Sequence, residues 1–384
     1  MGPFAEALVS RRGGCWPDEL QRLLLEAALL PPERARTAFR QWRDAVDLEA
    51  IDAASYRLLP LLAHNLTGVE DPLLDRARGV LRHTWSKNQR LFHRAAAVVT
   101  ALQGAGIPVM VLKGGVLAVR NYSSLGHRPM NDLDLMVPAA RAADARAAVS
   151  ALGWTAAYPV EPGHLPYLHG VAFTDGDGCD VDLHWHAVFE CCLPGDDELF
   201  WANAEPFETK AFTALAPHPT ELALQVAAHG LRWSVQPPLQ WAADLCRLIA
   251  IDGPRIDWSR LSTRARQAGL TLQLSLTLGF VARALDAPVP GELLASLDAA
   301  KPTAAERVEV RVRSSPPGLV QGLVAHWFDH RRMARASTVL RRWWAFPSYV
   351  AAIWGLPSAA AVPAAAIRKI GSRLHRRRGG NAAV

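Results

Sequence analysis

VMVLKGG at residues 109–115 and DLDL at residues 132–135 are the two stretches that decide the fold of this chain. Because residues two apart in a strand point the same way, Asp132 and Asp134 project from one face, and the leucines after them anchor the other. Two carboxylates on one rigid face suit Mg²⁺, which prefers oxygen ligands and substrate phosphates. Gly114 and Gly115 end the apolar run, and a backbone without side chains can approach a phosphate closely. The order of these pieces predicts a site for a nucleotide and a metal ion.

A second acidic strand is predicted around residues 180–184, which read DVDLH. Alternation places Asp180, Asp182, His184 and His186 on one face. Two acids with two imidazoles also resemble a transition-metal site, which supports an alternative function as a metal-dependent hydrolase. The other interpretation gives His184 a supporting role, in which it holds an acid or a phosphate.

Together these motifs resemble the nucleotidyltransferase superfamily of polymerase-beta-like fold, whose signature is a glycine pair, an acidic-x-acidic strand and a third acidic strand. The resemblance is closer to its uncharacterised bacterial nucleotidyltransferase family, which has a Leu-Lys-Gly turn, an arginine shortly before Asp-x-Asp, and an Asp-Leu-His-Trp strand. The corresponding residues here are Leu112-Lys113-Gly114, Arg128 and Asp182-Leu183-His184-Trp185. The sharp motifs lie between about residues 102 and 185, and a more diffuse resemblance extends to about residue 290.

The resemblance implies a reaction in which an NMP moves from an NTP, expected to be ATP, to an unidentified acceptor, with release of pyrophosphate. The acceptor would be a small molecule, a protein or an RNA end. Asp132, Asp134 and Asp182 would be catalytic and would hold two metal ions, expected to be Mg²⁺ with Mn²⁺ as the alternative. Asp182 would also help to deprotonate the acceptor. Asp180 projects from the same face and remains the alternative third carboxylate.

The residues that the resemblance assigns to nucleotide binding are Lys113, Gly114, Gly115, Arg128 and His184. Lys113 either pairs with the triphosphate or only covers the turn. Arg128 either braces a phosphate with its fork of donors or pairs with an acid such as Asp134. A further alternative for the whole chain is a catalytically silent nucleotide-binding partner protein, but the intact acids argue against it.

The wider pattern predicts an α+β fold, with a small mixed nucleotidyltransferase sheet flanked by helices and with helical N-terminal and C-terminal units. The predicted divisions are a helical unit at 1–85, the nucleotidyltransferase core at 86–215, a second helical unit at 216–300 and a basic, Ala/Arg/Trp-rich extension at 301–384. Near the core, a long helix is predicted at 73–103 and strands at 108–112, 131–137, 171–174 and 179–188. His229 and Asp244, in the second helical unit, would either face a cleft or make local hydrogen bonds.

Charge is distributed unevenly along the chain. Residues 301–384 contain 15 Lys plus Arg against 3 Asp plus Glu, a net +12, so residues 1–300 carry −6 of the chain's total of +6. The five cysteines show no spacing typical of a zinc knuckle or a disulfide framework. The N-terminus also lacks the basic segment followed by an apolar run that is typical of a secretory signal peptide. Together with the cysteine pattern, this predicts a cytoplasmic protein. Nothing in the pattern specifically indicates DNA binding.

The extension contains 25 uncharged residues between Arg342 and Arg368. Three prolines in this segment, at positions 347, 357 and 363, disfavour a membrane-spanning helix. An arginine pair at 341–342 precedes the segment and an arginine triplet at 376–378 follows it, and tryptophans lie within it. The open alternatives are peripheral contact with an anionic membrane, packing on the second helical unit, and a solvated basic end that aids solubility.

Overall fold

The chain begins with helices that pack ahead of a sheet. The computed structural model describes residues 15–160, 162–192, 195–232, 239–315, 318–334 and 337–369. Within these ranges five α-helices precede the sheet: α1 (Glu19–Leu29), α2 (Pro32–Ala45), α3 (Ala53–Tyr56), α4 (Leu59–Asn65) and α5 (Pro72–Gly104). Asp18 and Gln21 form a capping box at the start of α1. Pro31 and Pro32 separate α1 from α2.

The long predicted helix is confirmed as α5, which has 33 residues. Asp71 caps its start by accepting a hydrogen bond from the Leu73 N–H, and Gly106 follows its end with a φ of +68°. The helix runs through residue 85, so the helical N-terminal part and the sheet share one continuous element. The proposed division of the chain at that residue therefore falls inside a helix.

In the part of the chain that the structure describes, seven strands form one mixed sheet. They are β1 (Met110–Val111), β2 (Asp132–Met136), β3 (Thr155–Ala156), β4 (Gly170–Thr174), β5 (Asp180–His184), β6 (Glu205–Glu208) and β7 (Thr213–Ala216). Their order is β3-β4-β5-β2-β1-β7-β6. β2 is parallel to β5 and β1 is parallel to β7, while the other neighbours are antiparallel. Between the strands lie α6 (Lys113–Arg120), α7 (Ala142–Ala151) and α8 (Glu198–Ala202). The α+β fold class with a mixed sheet is confirmed.

The sheet differs from the sequence prediction at its edges. β3, β6 and β7 were not predicted: β3 has two residues, β6 contains Pro206, and β7 has two alanines, which have low strand propensity. Pro206 is tolerated because β6 forms an edge of the sheet. β5 ends at His184 and not at residue 188 as predicted. Beyond it, Asp197 accepts hydrogen bonds from the Ala187 N–H at 2.9 Å and from His186 at 2.6 Å.

Helices resume after the sheet. They are α9 (Pro219–Gly230), α10 (Gln240–Asp252), α11 (Trp258–Gln267), α12 (Thr271–Ala284), α13 (Gly291–Ala299), α14 (Ala304–Arg313), α15 (Leu319–Met333) and α16 (Val339–Ile353). α9 is buried along almost its whole length. One continuous apolar core joins the N-terminal helices, the sheet and these later helices. The helices on both sides of the sheet are therefore packed into the same body.

The basic extension begins as an integral part of this body. Arg332 on α15 donates to Glu309 on α14 at 2.8 Å and to the Gly269 carbonyl at 3.2 Å. Arg313 also donates to Glu309, at 3.0 Å. In α16, Tyr349 is buried and its ring lies 5.4 Å from that of Tyr167. Among the described residues, no helix is both long enough and apolar enough to cross a bilayer. The arginines at 376–378 lie outside the described residues.

Candidate active site

The pairing of β2 with β5 brings the predicted acids together. The two strands run parallel with Asp132 beside Asp180 and Asp134 beside Asp182. Asp132, Asp134 and Asp182 line one cavity, and Asp180, although described, is not among its lining residues. Among the two candidates for the third carboxylate, the structure thus places Asp182 and not Asp180 in the site.

The pKa values of the three acids that line the cavity are shifted in different directions. Desolvation, followed by repulsion from Asp134 and Asp182, raises the pKa of Asp132 to about 6. Burial acts in the same direction on Asp134, but Lys113 and His184 outweigh it and hold the pKa of that carboxyl far below its usual range. For Asp182, burial is outweighed by the hydrogen bond from His184, and the pKa is lowered. Asp132 is therefore the acid with the least compensated charge.

His184 holds two acids at once. Its Nε2 lies 2.9 Å from Asp134 Oδ1 and 3.1 Å from Asp182 Oδ2. Burial and the charge of Lys113 favour the neutral ring, but the two carboxylates outweigh them and raise the pKa of His184. The buried Nδ1 has no hydrogen-bond partner among the described residues. His184 therefore contacts two acids in the structure, and its role in nucleotide binding stays a prediction.

The donor set fits a divalent cation. Carboxylate oxygens of Asp134 and Asp182 and a ring nitrogen of His184 all lie within 4.8 Å of one another. In addition, Lys113 Nζ lies 2.9 Å from Asp134 Oδ1, so the ammonium of Lys113 already offsets part of the negative charge of the acids. Oxygen ligands suit Mg²⁺, and the nearby imidazole makes Mn²⁺ an acceptable alternative.

Lys113 is placed by the turn that begins α6. Its φ is +36°, a left-handed value that is uncommon for a residue with a side chain. Its backbone N–H donates to Gln225 Oε1 on α9 at 3.3 Å. The side chain points to the acids and lines the cavity, so it does more than cover the turn.

The two glycines after Lys113 have different reasons to be glycine. A Cβ on Gly115 would lie 2.5 Å from Leu133 Cδ1 and 2.6 Å from Val111 Cγ1, so only glycine lets α6 pack this closely on the sheet. Gly115 is buried and is not among the residues that line the cavity. Gly114 does line the cavity, and a Cβ there would collide with the guanidinium of Arg128. Close packing, which the sequence prediction did not include, therefore accounts for the glycine at position 115.

Arg128 forms an ion pair, but its partner is Asp244 on α10 and not Asp134. Arg128 Nε lies 2.8 Å from Asp244 Oδ1, and Nη2 lies 2.7 Å from Oδ2, which makes a two-pronged pair. Tyr122 also donates to Asp244, at 2.8 Å. The buried Asn88 on α5 donates to the Arg128 carbonyl at 2.9 Å and so fixes the loop. Most of the fork of Arg128 is thus committed within the protein.

The cavity has a volume of about 390 Å³ and lies where the N-terminal helices, the sheet and the later helices meet. Its walls include, besides the residues already described, Ala54, Arg57, Met130, Asn131, Val226, His229, Gly230, Leu239, Gln240 and Trp241. His229 and Asp244 both face this cavity, as one of the two interpretations predicted. His229 is the exposed residue of α9; the surrounding protein, and after it the charges of Lys113 and Arg232, lower the pKa of its ring.

Arg57, Asn131 and Gln240 line the cavity and were missed by sequence reasoning. Arg57 lies 72 residues from Pro129, whose carbonyl accepts its hydrogen bond at 2.8 Å. It follows the short helix α3, far from every motif, and carries no local signal of a site.

The four-residue metal face proposed for β5 does not form. His186 lies beyond the end of the strand and pairs with Asp197, and it lines a different cavity together with Trp185 and Cys192. Asp180 lies outside the group formed by Asp134, Asp182 and His184. The hydrolase alternative therefore loses half of its proposed ligands.

The comparisons with known proteins agree with this geometry. A protein-family model described as uncharacterised nucleotidyltransferase matches residues 42–286. The matched region contains Asp132, Asp134 and Asp182 as well as Arg57, Arg128 and Asp244, all of which line the cavity. No curated protein matches the chain.

Proposed function

This chain belongs to the uncharacterised nucleotidyltransferase family, and from that premise we propose that it moves an NMP from an NTP, preferably ATP, to an unidentified acceptor. The observation that carries the proposal is the convergence of Asp132, Asp134 and Asp182 on one wall of a solvent-accessible cavity. The same three carboxylates are proposed to hold Mg²⁺, or Mn²⁺ in its place. A bound divalent cation would neutralise phosphate oxygens and favour ionisation of the acceptor hydroxyl.

In the proposed reaction, the acceptor oxygen forms a bond to the α-phosphorus. The bond from that phosphorus to the bridging oxygen breaks, and pyrophosphate leaves with the electron pair. The acceptor proton passes to the carboxylate of Asp182, which lines the cavity on the strand next to Asp134. A cation held by Asp134 would weaken the attraction of Lys113 to that carboxylate, and the ammonium of Lys113 would then be available to phosphate oxygens.

The proposal is tested by incubating purified protein with Mg²⁺ and each labelled triphosphate in cell extract, and by searching for a labelled acceptor. Asp182→Asn should remove labelling by about a hundredfold or more while largely sparing triphosphate binding, because it removes the proton acceptor. Asp180→Asn is the matched control, since Asp180 lies two residues away on the same strand and outside the cavity. Equal loss in both variants, or a larger loss in Asp180→Asn, would contradict the role of Asp182.

We also propose that the exposed face of α16 contacts an anionic membrane. Leu340, Trp343 and Trp344 lie three and four residues apart, and Trp344 and Leu340 are 82% and 73% exposed. Residues 330–384 contain no Asp or Glu and 11 Lys plus Arg. Aromatic and aliphatic side chains beside arginines fit the interface of a bilayer with anionic headgroups. We propose that the protein is cytoplasmic and binds this surface peripherally.

Leu340→Ser/Trp344→Ser should weaken binding to vesicles that contain phosphatidylserine by about tenfold or more, because two exposed apolar side chains no longer enter the interface. Sedimentation with vesicles, with and without phosphatidylserine and at rising salt, measures this. Trp85→Ser is the control, because Trp85 is 48% exposed on α5, outside the basic extension. Binding that is unchanged in the double variant, or a dimer in solution that the double variant disperses, would exclude the membrane contact.

A further inference from the structure

Three of the residues that line the cavity are cationic at neutral pH, and two of them have carboxylate partners. Lys113 is paired with Asp134 at 2.9 Å, and Arg128 is paired with Asp244 through two nitrogens. Arg57 differs from both, because within the described ranges it forms no ion pair. The cavity therefore contains one guanidinium whose charge is not matched by a bound carboxylate.

Local structure fixes Arg57 at this position. Asp52 caps α3 by accepting from the N–H groups of Ala54 and Ser55. Leu58 and Leu59, which follow Arg57, are 0% and 1% exposed and anchor the chain in the core. The backbone at Arg57 is therefore held firmly, and the side chain is only half-buried.

Most donors of Arg57 remain open to the cavity. In the described part of the chain its side chain makes a single hydrogen bond, from Nη2 to the Pro129 carbonyl at 2.8 Å. Burial, and after it repulsion by Arg128, disfavours the charged form of Arg57 and lowers its pKa, although Asp132 and Asp244 act in the opposite direction. An anion that lay between the two guanidinium groups would remove that penalty and would use the free donors of Arg57.

We propose that Arg57 binds the polyphosphate of the NTP from the side of the cavity formed by the N-terminal helices. This inference rests on the proposed nucleotidyl transfer. It assigns to Arg57 the phosphate-bracing role that the sequence motif assigned to Arg128, because the fork of Arg128 is committed to Asp244. The helices before the sheet then complete the substrate site.

The experiment measures the affinity of the full chain for Mg²⁺-ATP and for inorganic triphosphate with Mg²⁺ by calorimetry. Arg57→Gln should weaken both by the same factor, about tenfold or more, because a charged, fork-shaped donor to phosphate is lost. Arg57→Lys keeps the charge and should fall between the wild type and Arg57→Gln. Arg146→Gln is the matched control, since Arg146 is also half-buried and also donates to a carbonyl, that of Val160 at 3.0 Å, but lies outside the cavity.

The outcomes separate this inference from the proposed function. If Asp132→Asn abolishes binding while Arg57→Gln binds as tightly as the wild type, the metal site stands and the role of Arg57 is wrong. If Arg57→Gln weakens ATP but not inorganic triphosphate, Arg57 contacts the base or ribose and the inference also fails. If the wild type binds neither ligand, the proposed function itself is overturned. Should Arg57→Gln fail to fold, affinities of Arg57→Lys that match the wild type would decide against the inference.

Discussion

Asp132→Asn and Asp134→Asn should each abolish Mg²⁺-dependent binding of ATP and lower nucleotidyl transfer by about a thousandfold or more. The physical reason is that each change removes an anionic oxygen ligand, and a metal that stabilises phosphate charge contributes several kcal/mol to the reaction. Calorimetry of Mg²⁺-ATP binding and labelling of acceptors in extract are the two measurements.

The release of protons when Mg²⁺ binds, measured at two pH values, is a second test of the role of Asp132. Because desolvation and the neighbouring Asp134 and Asp182 raise the pKa of Asp132 to about 6, we expect binding of Mg²⁺ at pH 6 to release protons, whereas at pH 8 the carboxyl is already ionised. Calorimetry of the wild type in buffers of different ionisation enthalpy should show this release at pH 6 and not at pH 8. Asp177→Asn, in an exposed turn, is the control for the same chemical change. Full Mg²⁺-ATP affinity in Asp132→Asn and Asp134→Asn would refute the assignment of both acids.

Asp244→Ala should destabilise the protein by about 3–5 kcal/mol, because it leaves the buried Arg128 without its counter-charge. Arg128 and Asp244 are 8% and 4% exposed, so little water reaches the pair to replace the lost partner. The measurement is the free energy of unfolding from urea denaturation, with the slope compared to detect a change in cooperativity.

The double variant Arg128→Met/Asp244→Leu tests the cause. Because it removes both charges and refills the space with apolar atoms, it should be much less destabilised than Asp244→Ala alone. A double variant as unstable as Asp244→Ala would show that packing around Tyr122 and Asp244, and not the uncompensated charge, accounts for the loss.

Local sequence pattern was sufficient for the elements nearest the motif. α5 was predicted to within one residue at each end, because the glycines at its C-terminal end are a local signal. β2 was predicted from alternation, which depends only on neighbouring residues. β3, β6 and β7 were not predicted, because short strands with proline or alanine depend on partners that are distant along the chain.

The sequence by itself determined the α+β class, the face shared by Asp132 and Asp134, and the candidates Asp180 and Asp182, because alternation and glycine placement are local properties of the backbone. Only the tertiary structure decided that Asp182 faces the cavity, that Arg128 is paired with a residue 116 positions away, and that Arg57 lines the same cavity as the acids. Strand order, register and the packing of separate helices determine which charged side chains lie next to each other. A side chain that is paired within the protein is not available to a ligand, whereas an unpaired one is.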